Sequence, residues 1–181
     1  ERATQLPQPV PIDDQLRFTT AQYPAGRYLL TLSSPPAGWS VISARVGGTN
    51  ALEHPFTLDG EDETNVLVTM SKRTTEISGT VRGNGPGDPN AVVIVFPSDY
   101  QTWIDEGMTS RRVRMADVRP DGTYRAQNLT PGDYALVAVP AAAGVDTRDP
   151  GVYPALMRAA SRVTVAAGDS KSQPLTVSVV R

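Results

Sequence analysis

Histidine and cysteine are the usual carriers of nucleophilic catalysis and transition-metal binding, and the sequence contains one such residue. His54, in the segment LEHPF, is the single histidine of the 181-residue chain, and cysteine is absent. A histidine-based triad or a zinc site needs further ligands at a defined spacing, such as HExxH, and the sequence does not supply them. We therefore predict that the chain is not an enzyme and has no catalytic residues and no cofactor, and that His54 is an exposed loop residue.

Carboxylates cluster once in the chain, in the segment from Asp59 to Glu63. Asp59, Glu61, Asp62 and Glu63 surround Gly60 and could offer oxygen ligands to calcium. The cluster lacks the ligand spacing of a calcium loop. We expect a solvated turn between strands, and we predict no metal site.

Aromatic side chains beside charged ones could form a sugar-binding surface. Tyr100 and Trp103 lie in the segment 98–107, Tyr153 lies in the segment 149–160, and Arg112 follows the first segment closely. Sugar binding needs a flat ring against the pyranose CH face and polar groups around the hydroxyls. Tyr100, Trp103, Arg112 and Tyr153 are the candidate carbohydrate site. The alternative is that Trp103 and Tyr153 fill the open end of a β-sandwich.

Arginines form a local basic patch, but the chain as a whole is slightly acidic. Arg111, Arg112, Arg114 and Arg119 lie close together, and we expect a solvated sheet face on which they pair with acids such as Asp117 and Glu76. The net charge is −2 and the pI is about 5.4. This charge argues against nucleic-acid binding, and no apolar run is long enough to predict membrane insertion.

One short phrase occurs twice in the chain. Tyr28 ends YPAGRY, and Tyr134 ends LTPGDY, 106 positions later (134 − 28). Proline and glycine favour a tight turn, and the tyrosine begins a strand with its ring inward and its hydroxyl on a backbone group. The phrase therefore predicts a structural corner rather than a chemical site, built from these residues: Pro24, Gly26, Tyr28, Pro131, Gly132 and Tyr134.

The second half reads as short strands separated by turns. Apolar patterns predict strands at 74–82, 91–96, 111–118, near Tyr124, and at 134–139, 162–165 and 174–180. The second of these should be buried on both faces, and the last should place Leu175, Val177 and Val179 on one face. Asp121-Gly122 predicts a hairpin. Seven short strands are typical of a small β-sandwich, which the helix-like segments 98–107 and 149–160 should flank at one end or edge.

The first half repeats only the later strands of this predicted order. We match residues 17–19 to the strand near Tyr124, residues 28–32 to the strand after Tyr134, and residues 65–70 to the closing strand; residues 38–48 add a strand that ends in a Gly-Gly turn. No counterparts of the opening strands precede Phe18. We predict an all-β chain of two tandem small β-sandwich modules: an extended proline-rich arm at 1–16, an incomplete module at 17–72 and a seven-stranded module at 73–181.

These segments resemble a known bacterial family. TEISGTV, VVIVFP and DGTYRAQNLTPGDYALVAV are similar to the carboxypeptidase regulatory-like domain, a prealbumin-like or transthyretin-like sandwich that is also placed near carbohydrate-binding-like folds. Similar domains form tandem repeats in secreted proteins. The resemblance implies an exported protein of the extracellular space or cell envelope, with no catalytic residues to transfer.

Three hypotheses about function follow. The first is a non-catalytic structural or interaction module whose partners are other domains of its parent protein or neighbouring copies. The second is a carbohydrate-binding module that uses the aromatics named above, with a glycan as the partner. The third is a subunit of an extracellular fibre, because an incomplete sandwich leaves unpaired edges that a neighbour's strand could complete.

Overall fold

The computed structural model describes residues 10–30, 35–83, 90–105 and 112–180, with the side chains of Trp103 and Asp105 outside that description. We refer to residues 10–72 as the N-terminal half and to residues 73–180 as the C-terminal half. The described residues of both halves form short strands, which confirms the predicted all-β fold. The predicted boundaries after residues 16 and 72 stay predictions.

Two small antiparallel sheets make up the described part of the N-terminal half. The strands are β1 (Gly26–Tyr28), β2 (Ser40–Val46), β3 (Thr49–Asn50), β4 (Phe56–Leu58) and β5 (Val66–Ser71). Strand β1 pairs with β4, and β2 lies between β3 and β5. The predicted Gly-Gly turn joins β2 to β3, with φ values of 54° at Gly47 and 92° at Gly48 that other residues adopt with strain.

The start of the chain departs from the prediction. The strand predicted at 17–19 is wrong, because the Asp13 carboxylate accepts the backbone N–H groups of Gln15 (2.9 Å) and Arg17 (2.8 Å) and closes a turn there. Residues 10–12 of the predicted arm are described without a helix or strand, and residues 1–9 lie outside the described residues. Strand β1 ends at Tyr28, so Leu30 lies beyond the strand, whereas Leu32 is outside the described residues.

The N-terminal half buries little apolar surface. Among its described residues only Ala44, Val46 and Ala51 are buried. Val41 and Ile42 of β2 and Val68 of β5 are half-buried, and Leu67 on the edge strand β5 is 63% exposed. Because small residues supply few of the contacts that stabilise a core, the described core of this half contributes little to its stability.

Besides two 3-10 turns at Ala141–Ala143 and Pro150–Val152, the described part of the C-terminal half contains the remaining strands and two short α-helices. In chain order they are β6 (Glu76–Arg82), β7 (Ala91–Pro97), α1 (Tyr100–Asp105), β8 (Arg114–Asp117), β9 (Thr123–Gln127), β10 (Gly132–Pro140), α2 (Tyr153–Ala159), β11 (Ser161–Val165), β12 (Ser170–Ser172) and β13 (Leu175–Thr176). One sheet has the order β11-β10-β7-β8. In the other, β6 pairs with β9 on one side and with β12 and β13 on the other. Strands form at all seven predicted places, but the closing strand predicted at 174–180 is reduced to β13, and β12 is an additional strand before it.

A continuous apolar core lies between these two sheets. Ile77 and Val81 of β6 and Tyr124 of β9 meet Val93 and Val95 of β7 within one buried cluster. The alternating pattern of β6 and the continuous pattern of β7 both predicted these positions. The two sheets therefore form the predicted sandwich.

Strand β7 is buried on both faces, as predicted, because a second layer covers its outer face. Val92, Ile94 and Phe96 pack against Tyr153 and Leu156 of α2. The segment 149–160 thus lies over the outer face of the sheet, and its predicted place at an end or edge of the sandwich is wrong. The reason is that β7 and β10 have apolar residues on both faces, which require a cover on each side.

Two details of strand pairing also differ from the prediction. Asp121-Gly122 joins β8 of one sheet to β9 of the other, so it makes an arch between sheets and not a hairpin. The closing segment runs parallel to β6, and Leu175 is buried, but Val179 is 73% exposed because the chain has left the sheet by then.

Gly79 allows one close approach within the sandwich. A Cβ atom at Gly79 would overlap the backbone carbonyl of Gln173 and lie 3.0 Å from Cε1 of Tyr124. The Tyr124 hydroxyl donates to the same carbonyl oxygen at 2.7 Å. The missing side chain thus lets the closing segment approach β6 and receive this hydrogen bond.

We expect Gly79→Ala to lower the free energy of unfolding by about 3 kcal/mol, because the backbone of residue 173 must move and the Tyr124 bond is lost. Thr80→Ala, an exposed change on the same strand, should lower it by less than about 1 kcal/mol. Urea unfolding followed by circular dichroism measures both. Equal losses in the two variants would contradict the close approach.

Candidate functional site

The corner at Tyr134 is the best-connected polar feature of the described residues. Tyr134 is the third residue of β10, its ring is fully buried, and its hydroxyl donates to the backbone carbonyl of Thr130 at 2.9 Å. The Thr130 hydroxyl lies 3.1 Å from the hydroxyl oxygen of Tyr134. The side chain thus ties the turn before β10 to the strand that follows, as a tyrosine corner does.

Arg112 packs over this corner. Its guanidinium carbon lies 4.6 Å from the centre of the Tyr134 ring, and its Nε donates to the Tyr134 hydroxyl at 3.2 Å. Gly132, with φ of 150°, leaves the space for it, because a Cβ atom there would overlap Nη2 of Arg112. A larger residue at this position would therefore require the Arg112 guanidinium to move and would also have to adopt the φ value that favours glycine in the turn.

The same arginine reaches the N-terminal half. Nη1 of Arg112 lies 3.4 Å from Oε1 of Glu53, and both side chains are largely buried. A buried cation is stable only when a counter-charge and hydrogen bonds compensate its desolvation. Glu53 and Tyr134 supply part of that compensation, at Nη1 and Nε, from two parts of the chain 81 positions apart (134 − 53), so Arg112 joins the two halves.

The first copy of the phrase forms a simpler corner. The Tyr28 hydroxyl donates to the backbone carbonyl of Pro24 at 2.6 Å, which is again four positions upstream. Its half-buried ring lies 5.7 Å from the ring of Tyr23 and 6.4 Å from that of Phe56. A Cβ atom at Gly26 would meet only the Tyr28 ring at ordinary contact distance. The two corners share the hydroxyl contact and differ in what covers the ring.

A cleft of about 330 Å³ lies at this junction. Its walls come from both halves, including Trp39, Ser40 and Glu53 on one side and Arg112, Arg114, Asn128 and Thr130 on the other. The Ser40 hydroxyl donates to Oδ1 of Asn128 at 3.3 Å, a second polar link between the halves. Trp39 is 36% exposed, and the Lys72 ammonium lies 5.1 Å from its ring centre.

Two of the residues predicted to bind carbohydrate, Tyr153 and Arg112, lie on opposite faces of one sheet. Tyr153 is 3% exposed, its hydroxyl donates to the carbonyl of Thr147 at 2.7 Å, and its ring stacks on Tyr100 beneath α2. Arg112 lies on Tyr134, which belongs to the core on the opposite face of that sheet. The side chain of Trp103 is outside the description. A platform on these residues stays a prediction, and the burial of Tyr153 counts against it.

The acidic cluster and the histidine are placed in loops. Asp59 accepts the N–H of Glu61 at 3.1 Å, Glu63 accepts the N–H of Asn65 at 2.9 Å, and Asp62 is exposed. Within the described ranges no group of three or more acidic or histidine side chains could hold a metal ion. His54 is half-buried, not exposed as predicted, because its backbone N–H donates to Asn50 and holds it against the β3 turn.

The arginines of the predicted basic patch have other roles than expected. Arg112 pairs with Glu53, and Arg114 lines the cleft, whereas Arg111 lies outside the description. Glu76 pairs with Arg125, which lies 2.6 Å away, and not with the patch. Burial alone would raise the pKa of Glu76, but hydrogen bonds from Arg125, Ser170 and Gln127 outweigh it and hold that pKa below its ordinary value.

Sequence reasoning identified the corner but not the contacts of Arg112. Arg112 and Glu53 are 59 positions apart (112 − 53), and no local pattern relates them. The alternation of Arg112 and Arg114 with Val113 places both arginines on one face, which the apolar residues between them assign to solvent, but the structure turns that face inward, with Ala116 in the core. A charged side chain on that face requires a buried partner.

Comparisons with known proteins add little to this description. No protein-family model and no curated protein sequence matches the chain. The TIE protein of Bacillus anthracis is 17% identical with a TM-score of 0.36, over 68% of this chain and 20% of that one. GBS52, the minor pilin of Streptococcus agalactiae, is 13% identical with a TM-score of 0.36, over 70% and 60%.

The chain therefore spans 20% and 60% of these two structures. At this TM-score the likeness carries no argument about function. The resemblance to the carboxypeptidase regulatory-like domain stays a prediction. In the described residues no helix is long and apolar enough to span a membrane.

We expect Tyr134→Phe to lower the free energy of unfolding by about 2 kcal/mol, because the Thr130 carbonyl and Nε of Arg112 lose a buried partner. Tyr28→Phe removes the matching hydroxyl from a more exposed corner and should cost less than about 1 kcal/mol. Urea unfolding at pH 7 measures both losses. A loss for Tyr28→Phe as large as that for Tyr134→Phe would contradict the role given to Arg112.

Proposed function

We propose that this chain is a non-catalytic structural module of an exported multi-domain protein, in which the Arg112–Glu53 pair fixes the N-terminal half against the C-terminal sandwich. The observation that carries this proposal is the use of its buried polar groups. Thr75, Glu76 and Arg112 are the buried polar or charged residues of the described chain, and each is engaged by neighbouring parts of the fold.

Catalysis would require some of these groups to face a substrate with a pKa suited to proton transfer. Glu76 instead accepts hydrogen bonds from Arg125, Gln127 and Ser170, and Thr75 accepts the N–H of Gly168. Such contacts stabilise a rigid body. A rigid module is suited to spacing or presenting neighbouring domains, and export follows from the family resemblance alone.

A second candidate function is assembly through strand complementation. It is favoured by the sheet β3-β2-β5, whose edge strand β5 carries the exposed Leu67 and whose larger apolar residues are only half-buried. An added strand from a neighbouring copy would pair with β5 and cover apolar surface.

The experiment that tests the proposal is small-angle X-ray scattering of Glu53→Gln against the unaltered chain. Removing the counter-charge leaves Arg112 desolvated, so the halves should separate, the radius of gyration should rise, and the sandwich should still unfold cooperatively. Glu61→Gln makes the same change of charge in the exposed acidic loop and should leave the scattering curve unaltered.

An unaltered curve for Glu53→Gln would contradict a rigid junction held by this pair. Size-exclusion chromatography with light-scattering detection gives the molecular mass of the unaltered chain in solution. A constant monomer mass over a wide concentration range supports the spacer, whereas a mass that rises with concentration supports strand complementation.

A further inference from the structure

The cleft between the halves has the chemistry of a binding site, although it contains none of the catalytic groups considered above. Trp39, which is 36% exposed, lines it. Ser40 and Asn128 place a hydroxyl and an amide side by side at 3.3 Å. A partly exposed indole beside such groups is a surface on which a pyranose ring stacks while its hydroxyls exchange hydrogen bonds.

The charge of the lining selects among sugars. Among the described side chains that line the cleft, Arg112 and Arg114 are cationic and Glu53 is anionic, and Lys72 lies against the Trp39 ring. Because Arg112 is paired with Glu53, the net positive charge of the lining is that of Arg114, whose Nη1 donates to the Val113 carbonyl at 3.0 Å, in a chain whose net charge is −2. Since guanidinium groups bind carboxylates through paired hydrogen bonds, a ligand with a carboxylate fits better than a neutral one.

We propose that this cleft binds an acidic saccharide, with a uronic-acid ring against Trp39 and its carboxylate at Arg114. The site is separate from the aromatic segments near Tyr100 and Tyr153, which lie over the outer face of the sheet. It also goes beyond the proposed structural role, because the junction can be rigid whether or not a sugar occupies the cleft.

The first test is calorimetric titration of the unaltered protein with tri-D-galacturonate and with its fully methyl-esterified form. We expect saturable binding of the acid, and at least tenfold weaker binding of the ester, because the ester cannot form the charged contact. Absence of binding of the acid, or equal binding of acid and ester, would overturn the proposal. Equal or tighter binding of tri-L-glutamate would also overturn it, since the cleft would then be a site for acidic peptides.

Two variants locate the binding site. Arg114→Gln should weaken binding of the triacid at least tenfold, and Arg119→Gln, an exposed arginine outside the cleft, should leave it unchanged. Loss of equal size in both variants would overturn the assignment.

Trp39 and Trp103 are the two tryptophans of the chain, so Trp103→Phe leaves Trp39 as the sole indole reporter. A saturable change in its fluorescence with the triacid supports stacking, and a change that occurs only while Trp103 is present overturns it. The scattering of Glu53→Gln is measured without sugar, so failure here leaves the test of the structural role untouched.

Discussion

A buried guanidinium group must find charge and hydrogen-bond partners, and this requirement at Arg112 organises the junction of the fold. Its Nη1 faces Glu53 from the N-terminal half, its Nε donates to Tyr134, and its plane lies over the Tyr134 ring. Gly132 has no side chain to block it. Removal of any one partner leaves a desolvated cation, so these residues act as one unit.

The N-terminal half depends on the C-terminal half for its order more than the reverse. The sandwich has apolar clusters on both sides of β7, with the second sheet on one face and α2 on the other. The N-terminal half buries only Ala44, Val46 and Ala51 within its described part. Contacts across the junction therefore supply order that the smaller half does not obtain from its own core.

Sequence patterns predicted those elements that are determined by residues close together in the sequence. The continuous run of β7, the alternation in β6 and the turn glycines are properties of neighbouring residues, so periodicity and turn chemistry sufficed. The position of α2, the arch at Asp121-Gly122 and the Arg112–Glu53 pair depend on which sheet each strand joins. Packing between distant segments determines which sheet each strand joins, and no local sequence pattern indicates it. The cleft at Trp39 is formed by both halves and could not be predicted for the same reason.

The most direct test of this account is a double-mutant cycle between Arg112→Met and Glu53→Gln, measured as free energies of unfolding in urea. A buried pair that joins the halves predicts a coupling energy of about 1.5 kcal/mol or more, with the double variant more stable than the sum of the single losses implies. Additive losses, with a coupling energy within about 0.3 kcal/mol of zero, would show that the two side chains do not stabilise each other and would contradict the central role of Arg112.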